Sequence, residues 1–195
     1  MTSELIHEYR RIKSDHRVAT LKWVIRLGLT PSMIRNYEAG TKEALYRPLE
    51  SVNVEALENI DNQRAYKSWF LRGLDKVAKV IRRTNPENSK INPGYKWGHS
   101  TKILCVFVRD VVLYSRFFAD EDVERLAPLL YVPIDSIVIG HLKRLGVRVP
   151  FSMIKEIDSA EKFFDVQDYL GAAAKKARVP RIWFDDIWGM RPDGI

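Results

Sequence analysis

The chain has 195 residues, 46% of them apolar, which is enough length and hydrophobicity for a globular fold around a single core. Thirty-two Lys and Arg against 25 Asp and Glu leave a formal charge of +7. That excess favours a polyanionic partner, nucleic acid first and a membrane surface second, although an incidental basic surface gives the same count. One cysteine, Cys105, excludes a disulfide framework and a cysteine-rich zinc site, and the four histidines (His7, His16, His99, His141) are scattered, without metal-ligand spacing. Met1 to Arg17 is charged throughout and lacks an apolar signal core. The longest apolar run, Ile103 to Val108, stops at Arg109 and Asp110, far short of the roughly 20 residues of a membrane span. The expectation is a soluble, cytoplasmic protein.

In chain order the pattern is helical. Glycine and proline sit at joints such as Gly40, Pro48, Pro86, Pro93-Gly94 and Pro150, and no segment alternates with period two. Glu4 to Leu29 reads as one or two helices, and Thr30-Pro31-Ser32 starts another, running from Met33 to about Ala39. From Val54 to about Arg83, Leu57, Ile60, Tyr66, Trp69, Phe70, Leu74, Val77 and Ile81 recur every three or four residues, opposite a face of Arg64, Lys67, Arg72, Lys76 and Lys79. Asn85 to Gly98 reads as a polar loop. Ser100 or Thr101 then caps a helix to about Phe118 that is apolar on nearly all sides and therefore central. Short helices follow at Val123 to Leu130 and from Asp135 or Ser136 to Leu145. Phe151 to Ile157, Ala160 to Ala177 and Pro180 to Trp188 complete the chain. The result is an all-α single domain over 1–195, with approximate parts 1–85, 86–150 and 151–195.

Two segments each place an ionisable side chain at the start of a helix: Lys96 to Lys102 and Tyr131 to Ser136. In the first turn of a buried helix, the helix dipole and desolvation both disfavour the ammonium form of Lys102, which prepares a neutral amine nucleophile. The same position also suits a lysine that snorkels to solvent or contacts phosphate. Asp135 is the opposite case, a carboxylate stabilised by backbone N–H groups, whether as a plain N-cap or as something more. Pro133 stiffens the approach to it. A neutral amine beside a fixed anion is the pair needed for displacement at a sugar C1′, where positive charge develops.

The stretch Trp97-Gly98-His99-Ser100-Thr101-Lys102-Ile103-Leu104-Cys105 resembles the hairpin and following helix of the helix-hairpin-helix DNA glycosylase superfamily. Val132-Pro133-Ile134-Asp135-Ser136 is similar to that superfamily's Val-Pro-Val-Asp segment, and Lys143-Arg144-Leu145-Gly146 to the Arg/Lys-Leu-Gly that ends the next helix. The resemblance covers about Lys96 to Gly146. The separation of 33 positions (135 − 102) is closest to the compact archaeal 8-oxoguanine glycosylases, which also lack an N-terminal β domain.

The resemblance implies a helical bundle with its active cleft between an N-terminal helical part and the central bundle. Its implied activity is DNA glycosylase and AP lyase, excising an oxidised or otherwise modified purine from a flipped-out nucleotide. Lys102 would be the Schiff-base nucleophile and Asp135 the catalytic carboxylate. Gly98, His99 and Ser100 in the hairpin, with Lys143 and Arg144, would hold the DNA backbone, and His141 and Arg148 are further candidates. The glycine pattern departs from the usual Leu-Pro-Gly-Val-Gly, since Gly98 stands alone before His99.

By the same resemblance Trp188 would stack on the base, with Trp69 a candidate for the second face. Phe184 stands where the branch carries a polar base-reading residue, a role Asp185 would take in a shifted register; the departure at Phe184 leaves open a modified base other than 8-oxoguanine, including a phage base met in defence. The implied partner is double-stranded DNA bound by a monomer, with no organic cofactor and a nucleoid location. The rival readings are a non-catalytic helix-hairpin-helix DNA-binding protein, a glycosidase acting on RNA or a free nucleotide, and a helical protein-interaction domain.

Overall fold

A computed structural model describes residues 3–34, 37–84 and 94–189. Among these residues the chain is helical and contains no strand. The principal helices are α1 (Ser3–Gly28), α2 (Pro31–Ile34), α3 (Thr41–Glu50), α4 (Gln63–Thr84), the central helix α5, α6 (Asp120–Leu126), α7 (Ser136–Arg144), α8 (Ala160–Ala177) and α9 (Trp183–Gly189). The central helix runs without a break through three windings: a π-helical turn at Tyr95–Ser100, α-helix over Thr101–Arg109 and a second π turn at Asp110–Tyr114. No described helix is long and apolar enough to cross a membrane.

The apolar run of α5 explains its place. Ile103 to Val108, Val111 and Val112 are all buried, so the middle of this helix is surrounded on every side. On α4 the period of three to four puts Tyr66, Trp69, Phe70, Leu74, Val77 and Ile81 on the inward face. Helix α3 packs on α4, α1 lies against α3 and α5, and α9 covers α7. Phe70 stacks on Phe163 of α8 with ring centroids 5.9 Å apart, and both rings are fully buried. Truncating either ring to Ala costs about 3–5 kcal/mol by analogy with other cores.

The helix expected to run to about Ala39 ends at Ile34, with 37–40 non-helical, and the central helix ends at Tyr114 instead of about Phe118; two further differences matter more. Gly40 and Pro48 read as joints, yet Thr41–Glu50 is a helix between and around them. Gly40 takes a left-handed φ of 85° just before it, and Pro48 falls in its last turn. There the proline forfeits one backbone bond, while Leu45 and Leu49 bury completely or nearly so, and the burial decides.

The second difference bears on the site. Gly94 to Ser100 is not a glycine hairpin but the first turns of α5. Ser100 and Thr101 therefore do not cap it. The Ser100 hydroxyl donates to the Tyr95 carbonyl at 2.6 Å, and the Thr101 hydroxyl donates to the carbonyls of Gly98, at 2.9 Å, and Trp97. The rest of the predicted loop, 85–93, lies outside the described residues.

Gly98 has a packing role. A 3₁₀ turn at Ile154–Glu156 crosses this part of α5 so closely that a Cβ at position 98 would fall inside the Ile154 carbonyl. Gly98→Ala is expected to destabilise the fold by about 1–3 kcal/mol through overpacking. Urea unfolding checks this, and a variant as stable as the parent would show that the turn moves aside freely.

Candidate functional site

The loop before α7 ends at Asp135, whose extended backbone (φ −138°, ψ −174°) makes it the N-cap. Its Oδ1 accepts from the backbone N–H groups of Ile137 at 2.9 Å and Val138 at 3.0 Å. A cap of this kind contributes about 1 kcal/mol. Its other oxygen, Oδ2, faces Lys102 Nζ at 3.3 Å. Two residues 33 positions apart thus meet as an ion pair, with side chains 26% and 23% exposed.

The strand-like approach to Asp135 is held rigidly. The buried Gln167 side chain of α8 brackets Val132, with its Oε1 accepting from the Val132 N–H at 3.0 Å and its Nε2 donating to the Val132 carbonyl at 2.7 Å. The Arg181 guanidinium, 4% exposed, donates to the carbonyls of Leu129, Leu130 and Gln167 at 2.9–3.0 Å and to Gln63 Oε1 at 3.3 Å. It also lies over the Tyr131 ring. These bonds satisfy backbone groups that burial would otherwise penalise.

Lys102 sits two turns inside α5, because the helix begins at Gly94. The dipole argument for a first-turn lysine therefore does not apply, and its environment is set by Asp135 and by an open cavity of about 430 Å³. That volume is in the range of small-ligand sites. The walls come from four places: Met33 and Tyr37 near α2; Tyr95, His99, Lys102 and Ile103 on α5; Asp135 and Ser136 at the start of α7; and Ser152 to Lys155 around the 3₁₀ turn.

His99 projects from the helical turn before Lys102. Its ring stacks on Tyr95 (centroids 4.9 Å, 23° between planes) and meets Tyr37 edge-on at 5.5 Å and 80°. Burial, followed by the nearby charges of Lys102 and Lys155, lowers its pKa to about 4, so the imidazole is neutral at neutral pH. Burial also pushes the Tyr37 hydroxyl well above the usual phenol range. Among the described residues no three His, Cys, Asp or Glu side chains group closely enough to hold a metal ion.

The other sequence-selected residues fall elsewhere. Trp69 is 4% exposed, donates its indole N–H to the Asn53 carbonyl at 2.8 Å and stacks on Tyr66, so it belongs to the core. Gly98 and Ser100 are buried and cannot reach a DNA backbone. Trp188 is not in the cavity wall. It stacks on His141 at 5.0 Å with parallel planes and leans on Phe184 at 4.8 Å, fastening α9 to α7. Asp185 pairs with Arg109, which also holds Asp110 at 2.7 Å. Burial pushes the Asp185 carboxyl up, Arg109 opposes the shift, and Asp135 and Asp186 add to it.

Of the cationic candidates, Lys143 donates to Ser152 at the cavity wall at 2.8 Å, and Arg144 and Arg148 are exposed. Tyr37, Tyr95 and the 152–155 segment were missed in the sequence. The spacing of Tyr95, His99 and Lys102 at i, i+4 and i+7 was their signal, hidden by reading Asn85 to Gly98 as a loop. No family model matches this chain, and no curated protein or solved structure matches it either.

The depressed pKa of His99 has a stability consequence. From its ordinary 6.5 down to about 4, the unfolded chain binds a proton that the folded chain refuses. This contribution to stability is present above pH 6.5, falls on acidification through that window and is fully lost below it. It amounts to about 3 kcal/mol at most. His99→Gln, facing Tyr37, Tyr95, Lys102 and Lys155 as before, is expected to flatten the dependence. Urea unfolding of both proteins at about pH 7 and about pH 4.5 measures it, and an identical loss in the two would contradict it.

Proposed function

We propose that this chain is a DNA glycosylase with AP-lyase activity, of the helix-hairpin-helix glycosylase type, excising an oxidised or otherwise modified purine from duplex DNA. The observation that carries this reading is the Lys102–Asp135 pair, 3.3 Å apart on the wall of a cavity of about 430 Å³. Met33 and Tyr37 form one wall of the cavity and the central helix another, which suits a cleft between two helical parts.

In the proposed reaction the flipped nucleotide enters with its C1′ beside the pair, facing both side chains from the cavity. The C1′–N bond breaks and its electron pair leaves on the base. The Asp135 carboxylate faces the positive charge that develops on the sugar, with its orientation fixed by the two N–H groups on Oδ1. Lys102, after losing one ammonium proton to water, donates its lone pair to C1′. A second proton lost from Nζ ends on the departed base. The nitrogen lone pair then forms the iminium as the C1′–O4′ bond breaks and O4′ takes a proton from water; a C2′ proton passes to water, the 3′ phosphate leaves with the C3′–O electron pair, and water hydrolyses the imine to free Lys102.

DNA backbone grip, which the buried Gly98 and Ser100 do not supply, falls to Lys155 in the cavity wall, to Lys143, which bonds to Ser152 of that wall, and to the exposed Arg144. Such contacts are blind to sequence and weaken with salt.

Borohydride trapping on duplexes carrying an abasic site is the direct test. Wild type is expected to give a covalent protein–DNA band that Lys102→Gln abolishes. Asp135→Asn, which keeps a side-chain oxygen for the cap, is expected to slow single-turnover base release by about a hundredfold or more. Salt-dependent DNA binding without any trapped species on abasic or modified-base duplexes would instead establish a non-catalytic DNA-binding protein.

A further inference from the structure

We infer that the rings of Tyr37, Tyr95 and His99 form the platform that holds the extruded base, with His99 determining which base is accepted. This rests on the glycosylase reading above and assigns it a recognition surface on the N-terminal side of the cavity, away from the C-terminal aromatics.

The geometry is a corner. Tyr95 and His99 stack on each other, and Tyr37 stands nearly perpendicular to both, at 71° and 80°. A flat heterocycle lying parallel to one wall presents its edge to the other, so one placement gives both stacking and edge contact. All three rings line the same cavity as Lys102 and Asp135, and His99 lies one helical turn from the amine. A base seated there shares the cavity with the amine of Lys102.

The polar groups of the corner are half-buried but unengaged. Among the described residues neither the His99 ring nitrogens nor the hydroxyls of Tyr37 and Tyr95 make a side-chain hydrogen bond. A neutral imidazole offers one donor and one acceptor, which suits the mixed edge of a purine and leaves the charge of the site to Lys102, Lys155 and Asp135. The C-terminal alternative differs, because Trp188 is engaged with His141 and Phe184.

The test separates base recognition from chemistry at the sugar. Wild type, Tyr95→Ala, Tyr95→Phe and His99→Gln are assayed for borohydride trapping on an abasic-site duplex. The same proteins are assayed for base release from duplexes carrying 8-oxoguanine, hypoxanthine or an alkylated purine. Stacking on one aromatic ring contributes roughly 1–3 kcal/mol per base, or about a 5- to 150-fold effect. Tyr95→Ala is therefore expected to lose base release at least tenfold more than it loses abasic trapping, Tyr95→Phe to restore release, and His99→Gln to reorder the ranking of the modified bases.

Equal loss of both activities in Tyr95→Ala, or loss of neither, overturns the platform while leaving the glycosylase reading standing. Trapping by wild type without release of any base overturns it as well. Absence of trapping by wild type removes the catalytic reading, and the platform with it.

Discussion

Asp135 does two things with two oxygens. One satisfies the backbone N–H groups that open α7, and the other faces the amine of Lys102. The division makes the pair a fixed feature of the fold, because the carboxylate cannot swing away without uncapping its helix. It also means that the pair links α7 directly to the central helix at the point where the cavity opens. The cavity walls take their positions from those two helices and from the turn that Gly98 admits.

The central helix supports this arrangement through its winding. A π turn carries an extra residue per turn, and such widened turns are common at functional sites. Here the first π turn bears Tyr95 and His99, followed at once by Lys102 in regular α-helix. The hydroxyls of Ser100 and Thr101 accommodate the change of winding by bonding back to carbonyls of that turn. Two turns along the same face from Lys102, Arg109 is committed to Asp110 and Asp185, so α9 is attached by charge as well as by the rings of Phe184 and Trp188.

Much of this was legible in the residues. The all-helical class followed from spacing and from the absence of alternation, and the buried central helix from a run with almost no polar face. Asp135 announced itself as a cap because an acidic residue before Ser-Ile-Val has few other uses. What stayed hidden was non-local or ambiguous. Thr41–Glu50 carries Pro48 in its last turn, and a proline reads as a stop until the burial of Leu45 and Leu49 is known. The start of α5 carries Gly94, Gly98 and polar residues directly after Pro93 in the sequence, so its helical register was invisible, and with it the shared face of Tyr95, His99 and Lys102. Aromatic residues carry no label of their own. Trp69 and Tyr95 look alike as stacking candidates in the sequence, and only packing separates the core ring from the cavity ring.

Arg181 has a consequence that reaches the carboxylate from a distance. Its guanidinium gathers α4, the Leu129–Leu130 segment and α8 onto one buried charge that makes no ion pair among the described residues. Segments tied this way open together or not at all, as one cooperative unit. Amide exchange in the stretch leading to Asp135 should thus proceed at the pace of the C-terminal helices, and fraying at one end of the polypeptide would be felt as lost order in the middle.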